Sequence, residues 1–203
     1  MKTVIFSILI ACGIVNAYAQ ESTSPPMKTE TFLIGYQVTS PNNTGYLTET
    51  SWAGGHLEYR RMIKSNLSVG ISAGWNTFEQ YFPRTTVQKE DGTGAITSDL
   101  IRNIYTVPIT ANVHHYFTGK RTNPYVGLGL GTQFKDERHF ANIYQFSAET
   151  WGFLVKPEVG IMTQFSGNVG GFFNVSYNYD TSGSDIFDQE DWQHWAFTLG
   201  LAF

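Results

Sequence analysis

Thiol chemistry is almost absent from this chain. Of its 203 residues only Cys12 is a cysteine, and it lies in an apolar amino-terminal segment that resembles a removable export signal. A chain without that segment has no thiol, which excludes disulfides, thiolate metal sites and cysteine nucleophiles. The sequence also lacks any later apolar run near the roughly 18 residues that a membrane-spanning helix needs.

Charged residues are scarce as well. They make up 15% of the sequence, against roughly 25% in ordinary soluble domains. The formal net charge of −4 gives no reason to expect a nucleic-acid partner. The mean hydropathy of −0.20 is that of a soluble protein, yet a membrane β-barrel has a similar value because half of each strand faces a polar interior.

The amino terminus has the layout of a secretion signal. Met1-Lys2 is basic, Thr3 to Val15 is mostly apolar, and Ala17-Tyr18-Ala19 offers a cleavage site. This predicts a signal peptide over 1–19, a flexible periplasmic lead-in over 20–30 and one β-barrel domain over 31–203. The segment Leu9–Cys12 also resembles a lipidation site, so cleavage after Ala19 and lipidation at Cys12 remain two alternatives.

Period-two alternation is the dominant pattern of the remaining sequence. In Leu67–Asn76, large apolar residues alternate with serine, glycine and asparagine, as expected for a strand with lipid on one face and a lumen on the other. Eight such strands are predicted. Their approximate bounds are Thr31–Val38, Ser51–Arg61, Leu67–Asn76, Leu100–Tyr116, Pro124–Phe134, Thr150–Gln164, Val169–Tyr179 and a last strand ending at Phe203.

The predicted connections alternate in length. Those after the second, fourth and sixth strands are short, whereas the others, Thr39–Thr50, Thr77–Asp99, Lys135–Glu149 and Asp180–Asp191, are long. Short periplasmic turns and long external loops are typical of outer-membrane barrels. Pro108 and Pro157 fall inside strands, where each removes a ladder donor, and this predicts a bulge at each. Pro83 is expected in a loop.

Aromatic residues cluster at the predicted strand ends. One group lies near the long loops and the other near the short turns, as expected for two interfacial belts. The first group is Trp52, Trp75, Trp151, Trp192 and Trp195, and the second is Tyr59, Tyr116, Phe117, Tyr125 and Phe203.

The last strand resembles the terminal strand by which bacterial outer-membrane barrels are recognised for insertion. Every second residue up to the terminal aromatic is large and apolar: Trp195, Phe197, Leu199, Leu201 and Phe203. This resemblance implies two partners, the outer-membrane lipid and the barrel-assembly machinery.

Three further segments resemble one family in chain order. The first is Ile104–Phe117, which contains the short motifs Val-Pro-Ile and Tyr-Phe. The other two are Asn123–Gly131 and Pro157-Glu-Val-Gly160. They are similar to the outer-membrane β-barrel domain family, the OmpA, OmpX and opacity-protein group. The resemblance implies an all-β fold, an eight-stranded antiparallel up-and-down transmembrane β-barrel of the bacterial outer membrane.

Several charged residues are predicted to face the lumen. They form a predicted lumen charge cluster of His56, Glu58, Arg60, Arg102, His114, Lys156 and Glu158. An eight-stranded barrel is just wide enough for side chains to fill it. We therefore expect cross-lumen pairs that block it, Glu158 with Arg102 or Glu58 with Lys156. A structural ion-pair core and a titratable gate are both open interpretations.

No catalytic, metal or cofactor site is predicted. His114-His115 is the only adjacent histidine pair, and it lacks the serine that a lipid-modifying catalytic set needs. The acidic residues Asp180, Asp185, Asp188, Glu190 and Asp191 do not have calcium-loop spacing, so a solvated acidic loop is favoured over a calcium site.

The sequence predicts a non-enzymatic outer-membrane barrel whose external loops serve surface contact, adhesion or envelope integrity. A narrow ion-conducting pore and a lipid-modifying enzyme are the alternatives. No feature of the sequence identifies an external ligand.

Overall fold

The fold is seen in a computed structural model that describes residues 29–42, 47–88, 94–141, 144–166, 169–183 and 191–203. The predicted signal peptide over 1–19, with its alternative lipidation site at Cys12, lies outside these residues, and so does nearly all of the lead-in over 20–30. Within the described ranges, no helix has the length and apolar character needed to cross a membrane.

Eight antiparallel strands form a closed barrel. Each strand pairs with the next along the chain, and β1 pairs with β8 to close the ring. The strands are β1 (Glu30–Pro41), β2 (Ser51–Lys64), β3 (Leu67–Gln88), β4 (Ala95–Tyr116), β5 (Thr122–Ala141), β6 (Tyr144–Ser166), β7 (Val169–Asp180) and β8 (Trp192–Ala202). The predicted up-and-down topology is confirmed.

The alternation in the sequence sorts side chains between the two faces of the barrel wall. On β3, Ile71 is 58% exposed on the outer face and its neighbour Ser72 is 3% exposed towards the lumen. On β8, Phe197 and Leu199 point outward while Thr198 is buried. The apolar row meets lipid and the small polar row fills the lumen, because successive side chains of a strand point to opposite faces.

Two of the four predicted long loops are largely strand. Thr77–Asp99 contains the outer part of β3, which continues to Gln88, and the start of β4 at Ala95. Lys135–Glu149 contains the end of β5 at Ala141 and the start of β6. The prediction of loops there was wrong because it required an apolar lipid-facing row. Strand segments beyond the membrane have water on the outer face, and charged residues such as Glu79 and Arg138 interrupt that row there.

These continuations form an open four-stranded sheet, the external sheet, of residues 77–88, 95–105, 136–141 and 144–149. Its base is a cross-strand row, because Thr77 pairs with Tyr105, Tyr105 with Asp136, and Asp136 with Glu149. β2 pairs with β3 only up to Thr77, and β7 pairs with β6 only from Leu154. Among the residues that the structure describes, the wall of the barrel is therefore taller over β3–β6 than over the other strands.

The prolines inside strands do not lie at bulges, contrary to prediction. The β4–β5 register passes through Pro108 unchanged, and the β5–β6 register passes through Pro157 unchanged. In the β3–β4 pairing beside Pro108 and in the β6–β7 pairing beside Pro157, two residue pairs are missing, and the pairing then resumes without a register shift. A register shift in β3 instead lies between Phe82 and Thr85, so Pro83 is in a strand irregularity and not in a loop.

Most of the predicted belt aromatics face lipid, but three face the lumen. Trp52 and Trp151 are strongly exposed at the external rim. Trp192 is fully buried, and Tyr116 and Tyr125 are almost fully buried at the opposite end. The position of each residue along its strand correctly predicted at which end of the barrel its ring lies. Whether the ring faces lipid or lumen follows from the alternation of side chains along the strand.

The lumen is filled in layers. Its short-turn end has an apolar layer made of Leu33, Tyr116, Tyr125, Met162, Phe172 and Ala202. Its external end has another, made of Leu47, Phe78, Ile104 and Trp192. Between the two lie buried polar and charged residues, among them His56, Glu58 and Glu158, so the ionisable groups of this barrel are concentrated in its interior.

Candidate functional site

Because successive side chains of a strand alternate between its two faces, ionisable side chains from three strands point into the lumen. His56, Glu58 and Arg60 alternate along β2, so all three point inward. Glu158 on β6 meets them from the opposite wall, and His114 on β4 meets them from two strands away. β5, which lies between β4 and β6, presents a glycine where these side chains meet.

That glycine is Gly127, and it makes room for a contact across β5. A Cβ atom at position 127 would lie 2.5 Å from His114 Cδ2 and 2.9 Å from Glu158 Cγ. Because the glycine has no side chain, His114 Nε2 reaches Glu158 Oε1 at 2.8 Å. The glycines of β5 therefore create space for the charged cluster, in addition to suiting the curvature of a small barrel.

Arg60 is the centre of the cluster. Its Nη2 donates to Glu58 Oε2 at 2.8 Å and to Glu158 Oε1 at 3.2 Å, so one guanidinium joins carboxylates from opposite walls. It also donates to the hydroxyls of Tyr116 and Tyr125, and its Cζ lies 4.5 Å from the Tyr125 ring centroid. A planar guanidinium with five donors suits such a bridge.

Each carboxylate has further partners. Glu58 Oε1 accepts from Asn112 Nδ2 at 2.9 Å, and Glu58 Oε2 lies 3.2 Å from His56 Nε2. Lys156 Nζ lies 3.7 Å from Glu158 Oε2 and donates to Ser72 Oγ at 3.0 Å. The side chains of both glutamates are at most 1% exposed, so their charges depend on these partners for stabilisation.

Six of the seven residues predicted for the lumen charge cluster meet here, and Arg102 does not. Arg102 pairs in register with Gln80 and His139 in the external sheet, and its Cζ lies 4.7 Å from the Phe82 ring centroid. The ion pairs also differ from the predicted ones, since Arg60 joins Glu158 and Glu58. Arg102 does lie on the inward face of β4, as predicted. Its position nearer the external end of that strand separates it from the cluster.

Three residues of the cluster have the spacing of a metal site. One ligand atom each from Glu58, His114 and Glu158 lies within 4.8 Å of the others. The charges of Arg60 and Lys156 already balance the two carboxylates, and Arg60 donates directly to both. A cation added at this point would meet a guanidinium at close range, so the arrangement is that of an ion-pair network.

The lumen above the cluster is polar and then closes again. Gln37 Nε2 donates to Thr198 Oγ1 at 3.0 Å, and Ser72 Oγ lies 2.8 Å from Thr110 Oγ1. His194 lies higher, with its ring 5.5 Å from that of Phe78 in an edge contact. Trp192 packs on Phe78 at 5.1 Å and covers this layer from the external side.

The other candidate sites from the sequence are dispersed. His115 faces outward beside Leu67 and Val126 and makes an edge contact with Phe117, and its register partners on β3 and β5 are not serines. Asp180 faces inward and accepts from Gln133 and Ser182. Asp185, Asp188 and Glu190 of the predicted acidic loop lie outside the described residues.

The external sheet has charged residues where the apolar band of the barrel ends. Asp136 accepts a hydrogen bond from Arg138 Nε at 2.9 Å, and this contact raises the pKa of Arg138. On the inner face, partial burial and the neighbouring Arg102 lower the pKa of His139 to about 4. Sequence reasoning missed these residues as a group because it assigned them to a loop.

Comparison with protein families identifies the domain. The outer membrane protein beta-barrel domain family matches residues 5–203. No curated protein sequence matches the chain significantly.

Solved structures with the same fold are outer-membrane proteins of distant sequence. Ail, the attachment invasion locus protein of Yersinia pestis, is 16% identical with a TM-score of 0.53, over 87% of this chain and 100% of that one. OprG from Pseudomonas aeruginosa is 13% identical with a TM-score of 0.52, over 90% and 98%. Neisserial surface protein A is 11% identical with a TM-score of 0.52, over 85% and 94%.

Proposed function

Since the chain belongs to the outer membrane protein beta-barrel domain family of the bacterial outer membrane, we propose that it is a closed, non-enzymatic barrel whose external sheet contacts a partner outside the cell. The barrel anchors the protein in lipid, and the lumen network closes it. The tall wall formed by β3–β6 then presents side chains to the surroundings.

An apolar row on the outer face of the external sheet is the observation that carries this proposal. Tyr81 pairs with Ile101, and Ile101 pairs with Phe140. All three share the outward parity of the lipid-facing residues below them, and Tyr81 is 55% exposed.

This row cannot be part of the lipid face. Two cross-strand rows with charged residues lie between it and the membrane band, one with Glu79 and Arg138, the other with Asp136 and Glu149. Below them, Trp75, Phe134 and Trp151 form the aromatic rim of the band. Apolar side chains placed above charged rows and in water are typical of an interaction surface.

The charge of the external end favours a basic partner. In the described residues that end has eight carboxylates and four cations. The carboxylates are Glu49, Glu79, Asp99, Asp136, Glu137, Glu149, Asp180 and Asp191, and the cations are Arg84, Arg102, Lys135 and Arg138. The similar structure named for attachment and invasion, Ail, gives a precedent for surface contact by this fold.

A cell-attachment assay tests the proposal. Bacteria lacking this protein would express the full chain, and their adherence to an epithelial monolayer would be counted. We expect the wild-type chain to raise adherence and the pair Tyr81→Ser with Phe140→Ser to abolish the gain. Phe146→Ser is the matched control, because Phe146 is 54% exposed on the inner face of the same sheet.

The outcomes separate surface contact from other roles. Equal adherence of the outer-face and inner-face variants would refute the apolar row as the contact surface. Loss of detergent resistance without any change in adherence would favour a role in envelope integrity.

The pore and enzyme alternatives are tested together. The network of Arg60, Glu58 and Glu158 fills the lumen between two apolar layers, which supports a barrel that conducts no ions. Planar-bilayer current from the wild-type chain would favour the pore. A change in the lipid A mass spectrum on expression would favour the enzyme.

The last strand supports a proposed role in assembly. The side chains of Trp195, Phe197, Leu199, Leu201 and Phe203 all point outward and are more than 40% exposed. They are thus available to the barrel-assembly machinery before lipid covers them. Phe203→Ser should slow insertion in cells more than it destabilises the folded protein, which pulse-chase folding assays and urea unfolding would compare.

A further inference from the structure

A groove cuts into the lipid-facing surface of β6, β7 and β8 near the short-turn end. Its volume is about 520 Å³. The upper walls are Ile161, Phe173 and Leu199, which pair in register across the three strands. In the next row β7 presents Gly171 between Thr163 and Leu201, so the surface is indented there.

Phe165 forms the lower wall of this groove. A Cβ atom at position 171 would lie 2.6 Å from Phe165 Cζ, which shows that the ring packs on the glycine backbone. The groove therefore has apolar walls above and below, and it opens to the bilayer. An acyl chain in it would contact three sides, whereas a chain on the convex barrel wall contacts one, and dispersion contacts add up with the number of neighbouring atoms.

A guanidinium lies beside the lower wall of the groove. Arg121, in the turn between β4 and β5, donates from Nε to the Gln164 carbonyl at 2.6 Å and from Nη2 to the Phe165 carbonyl. These two bonds hold its exposed side chain beside the residue that forms the lower wall. They use two of the five donors of a guanidinium, a group whose fork geometry suits phosphate.

The surrounding rim is basic. In the described residues the short-turn end has the cations Arg61, Lys64, Lys120 and Arg121 and one carboxylate, Glu30. The external end has an excess of carboxylates. This asymmetry gives the short-turn rim an attraction for anionic headgroups that the opposite rim does not have.

We propose that this groove is a binding site for one anionic phospholipid of the periplasmic leaflet. The acyl chain lies between Phe165 and the row of Ile161, Phe173 and Leu199, and the phosphodiester lies on Arg121 with Lys120 beside it. The site is on the outer wall of the barrel, separate from the lumen network and from the external sheet, so it does not depend on the proposed contact function.

Native mass spectrometry of the full chain released from nanodiscs tests this site. The probes are phosphatidylglycerol and phosphatidylcholine with the same acyl chains. We expect one phosphatidylglycerol to be retained in preference to phosphatidylcholine. Arg121→Gln should lower its retention roughly tenfold, as for loss of one charge-assisted hydrogen bond. Arg61→Gln is the control, because it removes the same charge from the same rim away from the groove.

A second pair of variants tests the apolar part. Thr163→Phe fills the groove, whereas Val159→Phe adds a ring to the lipid face of the same strand outside the groove lining. We expect Thr163→Phe to release the retained phospholipid and Val159→Phe to keep it. Heat-dependent gel mobility would verify that all four variants fold.

Three results would overturn the proposal. The first is equal phosphatidylglycerol retention by Arg121→Gln and Arg61→Gln, which would mean diffuse attraction to the rim. The second is equal retention by the two phenylalanine variants. The third is a wild-type mass of two chains that Thr163→Phe converts to one, because the groove would then hold a second copy of the protein.

Discussion

Removal of Arg60 should destabilise the barrel strongly. In Arg60→Gln, Glu58 and Glu158 lose the guanidinium that joins them at 2.8 and 3.2 Å, while their side chains stay at most 1% exposed. Breaking one partner of a buried ion pair costs about 3–5 kcal/mol, because the remaining charge is left without compensation. At a urea dependence of about 2 kcal/mol per M, this lowers the unfolding midpoint by roughly 1.5–2.5 M.

The assay is urea unfolding of the full chain in lipid vesicles, followed by tryptophan fluorescence and gel mobility. Arg61→Gln is the control, because Arg61 is the next residue on β2 but points outward, with a side chain 63% exposed and 3.9 Å from Glu30. Its midpoint should match that of the wild type.

A double variant separates the charge of Arg60 from its packing. Glu158→Gln added to Arg60→Gln removes one of the two carboxylates that the first change left uncompensated. The double variant should therefore unfold at a higher urea concentration than Arg60→Gln alone. Equal midpoints for Arg60→Gln and Arg61→Gln would refute the ion-pair network as the element that stabilises the lumen.

Three further predictions concern the lipid face, the glycine of β5 and the external sheet. Ile71→Arg should cost about 2–4 kcal/mol in vesicle folding, and folding like that of the wild type would mean that the outward assignment of Ile71 is incorrect. Gly127→Ala should cost about 1–3 kcal/mol in urea unfolding by pushing His114 from Glu158, whereas Gly119→Ala, with no atom within 4 Å of its added Cβ, should be neutral. The pKa of His139, about 4, is below its ordinary value of 6.5, so the unfolded sheet binds more protons between these values and stability falls as the pH drops from 6.5 towards 4. Hydrogen exchange of residues 136–141 at pH 7.5 and 5 checks this, and the same pH response in His139→Gln would contradict it.

The barrel itself could be predicted because its two solvents are so different. Lipid outside and a polar lumen inside impose a period-two pattern, and this pattern identified all eight strands and the inward direction of six cluster residues. Where both faces of a strand meet water, the pattern disappears. The external parts of β3, β5 and β6, and the part of β4 before Leu100, were therefore predicted as loops.

The composition of the lumen charge cluster could not be predicted from the alternation of residues within each strand. Parity places Arg60 and Arg102 on inward faces alike, but the distance between them along the lumen depends on the register of β2, β3 and β4. Alternation places Tyr116 and Tyr125 on the inward faces of β4 and β5, but their position at strand ends favoured the interfacial belt. The pattern also gives no indication that their hydroxyls accept hydrogen bonds from Arg60. Pairing between strands, and not the pattern within one strand, determines which charges meet.

The unequal height of the wall makes the external end of this barrel asymmetric about its axis. Over β3–β6 the external sheet stands above the surface, whereas on the opposite side the described pairing of β7 with β8 reaches Asp180 and Trp192. A neighbour that approaches over the low side meets the inner face with Phe146, and one that approaches over the high side meets Tyr81. Rotation about the membrane normal therefore changes which face of the external sheet lies towards a neighbouring molecule in the membrane.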